Sequence, residues 1–113
     1  MHEFSIVENM VRTADSFARD HDIKQVRCLT VQIGSLTGVV AEYVRMYYND
    51  LIKGTTLEGS ELEVEEIAAE AFCRNCGTVF DPTETKDHCP ECGLENYEIL
   101  HGKELTVKDM GYM

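Results

Sequence analysis

At 113 residues the chain holds one compact domain, or a small domain joined to a metal-stapled module. Acidic residues outnumber basic ones 21 to 10, for a formal charge of −11, and such a surface repels polyanions, which disfavours broad binding to nucleic acid or anionic membranes. The 43% apolar content is ordinary for a globular chain. No apolar run approaches a membrane span and no signal peptide is visible, so a cytoplasmic location is expected.

Ser5-Ile6-Val7-Glu8 is a capping box of the S-x-x-E type. It predicts a helix from Ser5 to Asp20, with Val7, Met10, Val11, Ala14, Phe17 and Ala18 as its core stripe and residues 1–4 as an exposed arm before it. A strand follows from about Gln25 to Ile33, with Leu29, Val31 and Ile33 on one face and Cys28, Thr30 and Gln32 on the other. Residues 34–38 form a loop. A second helix presents Val40, Val44, Tyr47, Tyr48 and Leu51 on one face, and Gly54 stands where a left-handed cap would fall. Glu61 to Ala69 reads as a strand with Leu62 and Val64 inward, and a phase shift at Glu65-Glu66 predicts a bulge. Glu63, Glu65, Glu66 and Glu70 form its outward acidic run.

Residues 70–101 then carry two knuckles, Cys73-Arg74-Asn75-Cys76-Gly77 and Cys89-Pro90-Glu91-Cys92-Gly93. Each C-x-x-C-G turn aims two thiolates at one ion, and two such turns close a tetrahedral four-sulfur shell suited to Zn²⁺. Iron is the competing ion, since the second knuckle also looks like that of a rubredoxin. A redox dithiol pair is the other alternative. Paired C-x-x-C thiols with Cys28 left over suit a reducing compartment better than a disulfide scaffold. The last segment, from Glu104 to Met110, alternates again with Leu105 and Val107 inward. The expected fold is α+β: a three-stranded sheet with two helices on one face, and a zinc-ribbon lobe inserted before the last strand. The expected division is residues 1–69 with 102–113 for the first domain, and 70–101 for the second.

The N-terminus suggests a second metal site. A lone histidine is ordinarily just an exposed polar residue, but at this position the Met1 amine, the His2 backbone nitrogen and the His2 imidazole can chelate one ion in fused small rings, with the Glu3 backbone nitrogen one step further along. Deprotonated amides and imidazole make a strong-field, square-planar set that suits Ni(II) or Cu(II). The initiator methionine must remain, which a bulky second residue favours. His21, His88 and His101 read as solvated, and Cys28 as a small, partly buried filler. No Gly-rich phosphate loop, nucleophile–base pair or paired-acid signature stands out, so a non-enzymatic role is expected.

Met1-His2-Glu3-Phe4-Ser5-Ile6-Val7, Val31-Gln32-Ile33-Gly34, Lys53-Gly54-Thr55 with Glu58-Gly59, and the two knuckles together resemble the HypA/HybF family of nickel-insertion accessory proteins for [NiFe]-hydrogenase maturation. The resemblance covers nearly the whole chain. It implies a cytoplasmic metallochaperone that binds Ni(II) through His2 with the Met1 and Glu3 main chain. It also implies structural zinc on Cys73, Cys76, Cys89 and Cys92, a partner GTPase, HypB, and delivery to the hydrogenase large subunit; some members also serve urease maturation. Val40 stands where many members carry an acidic residue, with Glu42 two residues on. Two rivals belong to other classes. A zinc-ribbon nucleic-acid factor is opposed by the net charge, and a rubredoxin-like electron carrier would show itself by a red colour bleached on reduction.

Overall fold

A computed structural model describes residues 3–112. Among them are helices α1 (Glu3–Asp20) and α2 (Ala41–Leu51) and strands β1 (Val26–Gly34), β2 (Glu61–Ile67), β3 (Glu70–Cys73), β4 (Val79–Phe80), β5 (Tyr97–His101) and β6 (Leu105–Tyr112). The strands form two separate three-stranded sheets, ordered β2-β1-β6 and β4-β3-β5. The molecule is long and narrow, 54 × 24 × 17 Å.

In the first sheet β1 is central, parallel to β2 and antiparallel to β6. Leu29, Val31 and Ile33 of β1 pack under Val7, Met10 and Val11 of α1 and Val44 and Tyr48 of α2. Both helices therefore cover one face, which puts the core where the alternation of β1 and the stripes of the helices place it. The second sheet has its own small core of Ala71, Cys73, Phe80 and Cys89, flanked by Cys92, Tyr97 and Ile99. The insertion of this ribbon between β2 and β6, and the two-helix, three-strand layer, agree with the sequence reading.

Five details differ from it. Helix α1 begins at Glu3, not at the Ser5 box, and Ser5 lies exposed within the helix. Tertiary contacts extend the first turn: the Phe4 ring meets Tyr47 of α2 edge-on at 5.4 Å, and the Glu3 carboxylate accepts from the Val40 N–H at 3.4 Å. Residues 1 and 2 of the expected arm lie outside the described residues. Phe17 is 49% exposed and stacks on His21. It stands at the edge of the stripe beside the edge strand β6, where it lines an open hollow with Met110 and Tyr112.

Val40 likewise faces out, as the N-cap of α2 rather than a member of its inner face. The β1–β2 register runs unbroken from Cys28↔Glu61 to Gly34↔Ile67, so the expected bulge at Glu65-Glu66 is absent there. The irregularities lie in the β1–β6 pairing instead. Consecutive Thr30 and Val31 face Asp109 and Val107, which leaves Lys108 as an extra residue. Lys108 then reaches Glu65 at 2.8 Å, and Gln32 donates to the same carboxylate at 3.1 Å. The acidic run is also divided: Glu63 and Glu65 share the open face, Glu66 alternates to the other, and Glu70 opens β3 in the second sheet.

Candidate metal centre and the N-terminal arm

The ribbon brings the two knuckles together. Cys73 ends β3 and Cys76 follows one turn later; Cys89 and Cys92 sit on the turn before β5. The two turns share one hydrogen-bond pattern. Cys73 N–H donates to Thr78 O and Gly77 N–H to Cys73 O, both at 2.9 Å, while Cys89 N–H donates to Leu94 O at 2.9 Å and Gly93 N–H to Cys89 O at 2.8 Å. Gly77 and Gly93 have φ of 79° and 76°, a conformation that costs a side-chain-bearing residue roughly 1–2 kcal/mol, which is why each knuckle ends in glycine. The glycine N–H groups close the turns rather than reach the sulfurs.

All four Sγ atoms lie within 4.8 Å of one another. Cys73 and Cys92 are 3.6 Å apart, and Cys76 and Cys89 are 3.5 Å apart. The edge of a tetrahedron with metal–sulfur bonds near 2.3 Å is about 3.8 Å, so the thiolates fit a closed four-sulfur shell with no position left for substrate. Cys73 and Cys89 are buried, Cys92 is half-buried and Cys76 is exposed. The Cys76 thiol is pulled down to about 6, first by the Thr78 hydroxyl at 3.1 Å, then by the Thr78 backbone N–H and the Cys89 sulfur. Thr78 escaped the sequence reading; its signal is a hydroxyl two residues past a knuckle cysteine, which the second knuckle lacks.

His88 is exposed beside Cys89 and stands apart from the cluster. Cys28 lies half-buried on the open face of the first sheet, where a Cβ on Gly111 would come within 2.6 Å of its sulfur. His21 and His101 are exposed, yet each is engaged: His21 with the Phe17 carbonyl at 2.9 Å and His101 with the Glu104 carboxylate at 3.3 Å. Met1 and His2 lie outside the described residues. Glu3 is the first residue of α1, and the first turns of the helix line a shallow hollow with Leu105, where β6 leaves the ribbon. Glu3 thus stands at the end of the helical lobe that joins the ribbon. Among the described residues no helix is long and apolar enough to cross a membrane.

This combination, a two-helix, three-strand layer with a four-cysteine ribbon inserted before its last strand, defines a small two-lobed protein whose ribbon carries a four-thiolate metal site. Residues 1–112 match the family described as hydrogenase/urease nickel incorporation, metallochaperone, HypA. The chain is 33% identical over 110 residues to the hydrogenase maturation factor HypA of Azotobacter vinelandii, covering 97% of each. It is 37% identical over 108 residues to that of Chloroflexus aggregans, covering 95% of each. Its fold is similar to the solution structure of the Ni metallochaperone HypA from Helicobacter pylori, with a TM-score of 0.71, 19% identity, and coverage of 100% of this chain and 98% of that one. The chain belongs to the HypA family of nickel-incorporation metallochaperones.

Proposed function

We propose that this chain is a non-enzymatic nickel carrier of the cytoplasm. It binds Ni(II) through the His2 imidazole, the Met1 amine and the main chain of His2 and Glu3, and with a partner GTPase, HypB, passes the ion to the [NiFe]-hydrogenase large subunit. The observation that carries this reading is the family match, which begins at residue 1 and so includes Met1-His2-Glu3. Local physics supports it. The first backbone N–H groups of a helix have no acceptor within the helix, and α1 starts at Glu3, so the amide of Glu3 is not consumed by helix bonding. A site on such an arm releases its ion by stepwise ligand exchange, as a carrier requires. Copper binds this donor set more tightly than nickel, so selectivity rests on metal supply and docking.

In the same reading Cys73, Cys76, Cys89 and Cys92 hold a structural Zn²⁺. When bound, the ion supplies the folding free energy that the small core of the ribbon lacks. Residues 70–101 then form one domain, and residues 1–69 with 102–113 form the nickel-binding domain.

Adding Gly-Ser before Met1 tests the chelate. It converts the amine into an amide while sparing the His2 imidazole. Nickel titration by calorimetry and visible absorbance is expected to lose affinity and the planar Ni(II) band, while a C-terminal tag has no effect. Equal affinity in extended and native-start proteins refutes the main-chain ligands.

A further inference from the structure

The chain crosses from one sheet to the other at two places, residues 67–70 and 101–105, and the crossing has unusually little room. A Cβ on Gly34, at the end of β1, would stand 2.0 Å from the Gly102 carbonyl oxygen, and one on Gly102 would stand 2.8 Å from the Ala69 Cα. Gly102 has φ of 117°, which disfavours any side chain. Backbone thus lies on backbone, and two bonds cross the contact: Gly34 N–H donates to Glu104 O at 2.7 Å and Leu36 N–H to Gly102 O at 2.8 Å.

One side chain closes this turn. Glu104 Oε1 accepts from the Gly102 N–H at 2.6 Å, and Oε2 lies 3.3 Å from His101 Nδ1. His101 is the last residue of the ribbon sheet, with Glu70 opposite it across β3 and β5, and Glu104 directly precedes β6. The carboxylate therefore spans the residue that ends one sheet and the residue that packs on the other. Its carboxyl is held below the ordinary glutamate value, first by the Gly102 N–H.

We propose that Glu104 is a clasp that sets the angle between the ribbon and the helical lobe, with the His101 imidazole bracing the carboxylate from the ribbon side. The two glycines make a compact pivot of backbone on backbone, tied by the two main-chain bonds, and Gly102 keeps a glycine's freedom to leave that conformation. The carboxylate limits that freedom by bonding the Gly102 N–H while the Gly102 carbonyl accepts from the Leu36 N–H.

The test uses the full zinc-loaded chain and compares the alignment of the two lobes by residual dipolar couplings and their tumbling by ¹⁵N relaxation. The wild-type lobes are expected to share one alignment tensor. Glu104→Ala is expected to give two tensors and separate tumbling, with zinc content and the dispersion of both lobes unchanged. His101→Ala keeps the Gly102 bond and is expected to loosen the lobes less; at an exposed strand end it stays folded even if Glu104→Ala does not. Wild-type coupling of the lobes in either folded variant overturns the proposal.

Discussion

The Glu3 carboxylate accepts a hydrogen bond from the Val40 N–H, so the first residue of α1 caps the start of α2. Val40 is the N-cap of α2, and its own apolar side chain offers no acceptor. An anion at this position also suits the positive end of the α2 dipole. Glu3→Ala is therefore expected to lower stability by about 0.5–1 kcal/mol, the usual cost of a lost cap at an exposed site. Chemical denaturation followed by circular dichroism checks this, and Glu3→Gln, which keeps an acceptor, is expected to lose less.

Cys73→Ser is expected to unfold the ribbon and leave the helical lobe intact. Structural zinc contributes about 10–16 kcal/mol of apparent binding free energy in small modules, far more than Ala71 and Phe80 bury. The helical lobe has a separate core. Zinc analysis and ¹H–¹⁵N spectra check this: collapse of the signals of α1 and α2 along with the ribbon would contradict two independent units.

Asp15 ties α1 to the segment before β2. Its Oδ1 accepts from the Thr56 N–H at 2.9 Å and the Thr56 hydroxyl at 2.7 Å. Burial raises the Asp15 carboxyl, but the Thr56 donors and then Arg19 outweigh it and hold it below the ordinary value. A depressed folded-state value means that the carboxylate stabilises the fold at neutral pH. That stabilisation is lost as pH falls from the unfolded-state value, about 3.9, through the lower folded one. Asp15→Ala is expected to cost about 1–3 kcal/mol at neutral pH, since it leaves the part-buried Thr56 donors unpaired, and to flatten the acid limb of helical-lobe stability.

Leu29 is fully buried at the centre of β1, under both helices. Leu29→Ala is expected to destabilise the helical lobe by about 2–5 kcal/mol, from lost transfer free energy and the cavity left behind. Zinc content should not change, and urea denaturation with zinc analysis on the same samples measures both.

Gly34→Ala places a methyl group against the backbone of Gly102. The clash is with main chain, so no side chain can rotate away, and a cost of about 1–3 kcal/mol or more is expected. The shift should concentrate in amide resonances of residues 101–104, which a spectrum of the variant reads directly.

Much of this protein is legible in its sequence because much of it follows from local rules. The spacing and terminal glycines of Cys73–Gly77 and Cys89–Gly93 define two turns of fixed geometry before any fold exists. The alternation of Leu29, Val31 and Ile33 identifies β1 and its buried face, and the order of helices and strands implies one layered lobe with the ribbon inserted. Tertiary structure decided where local signals compete or fall silent. The Ser5 box is a sound helix start by local chemistry, yet Phe4 on Tyr47 and Glu3 on Val40 carry the helix past it. The bulge belongs to the β6 pairing because Lys108 has a partner in Glu65 two strands away, a contact that no window of neighbouring residues contains. Phe17 reads as core from its spacing, but only the width of the sheet determines whether anything covers it. Likewise, no motif announces that Gly34 and Gly102 touch, or that Glu104 closes the turn between the sheets. Local sequence sets which elements form and which faces are apolar; the meeting of elements distant in the chain sets where they end, what caps them and how the two lobes are joined.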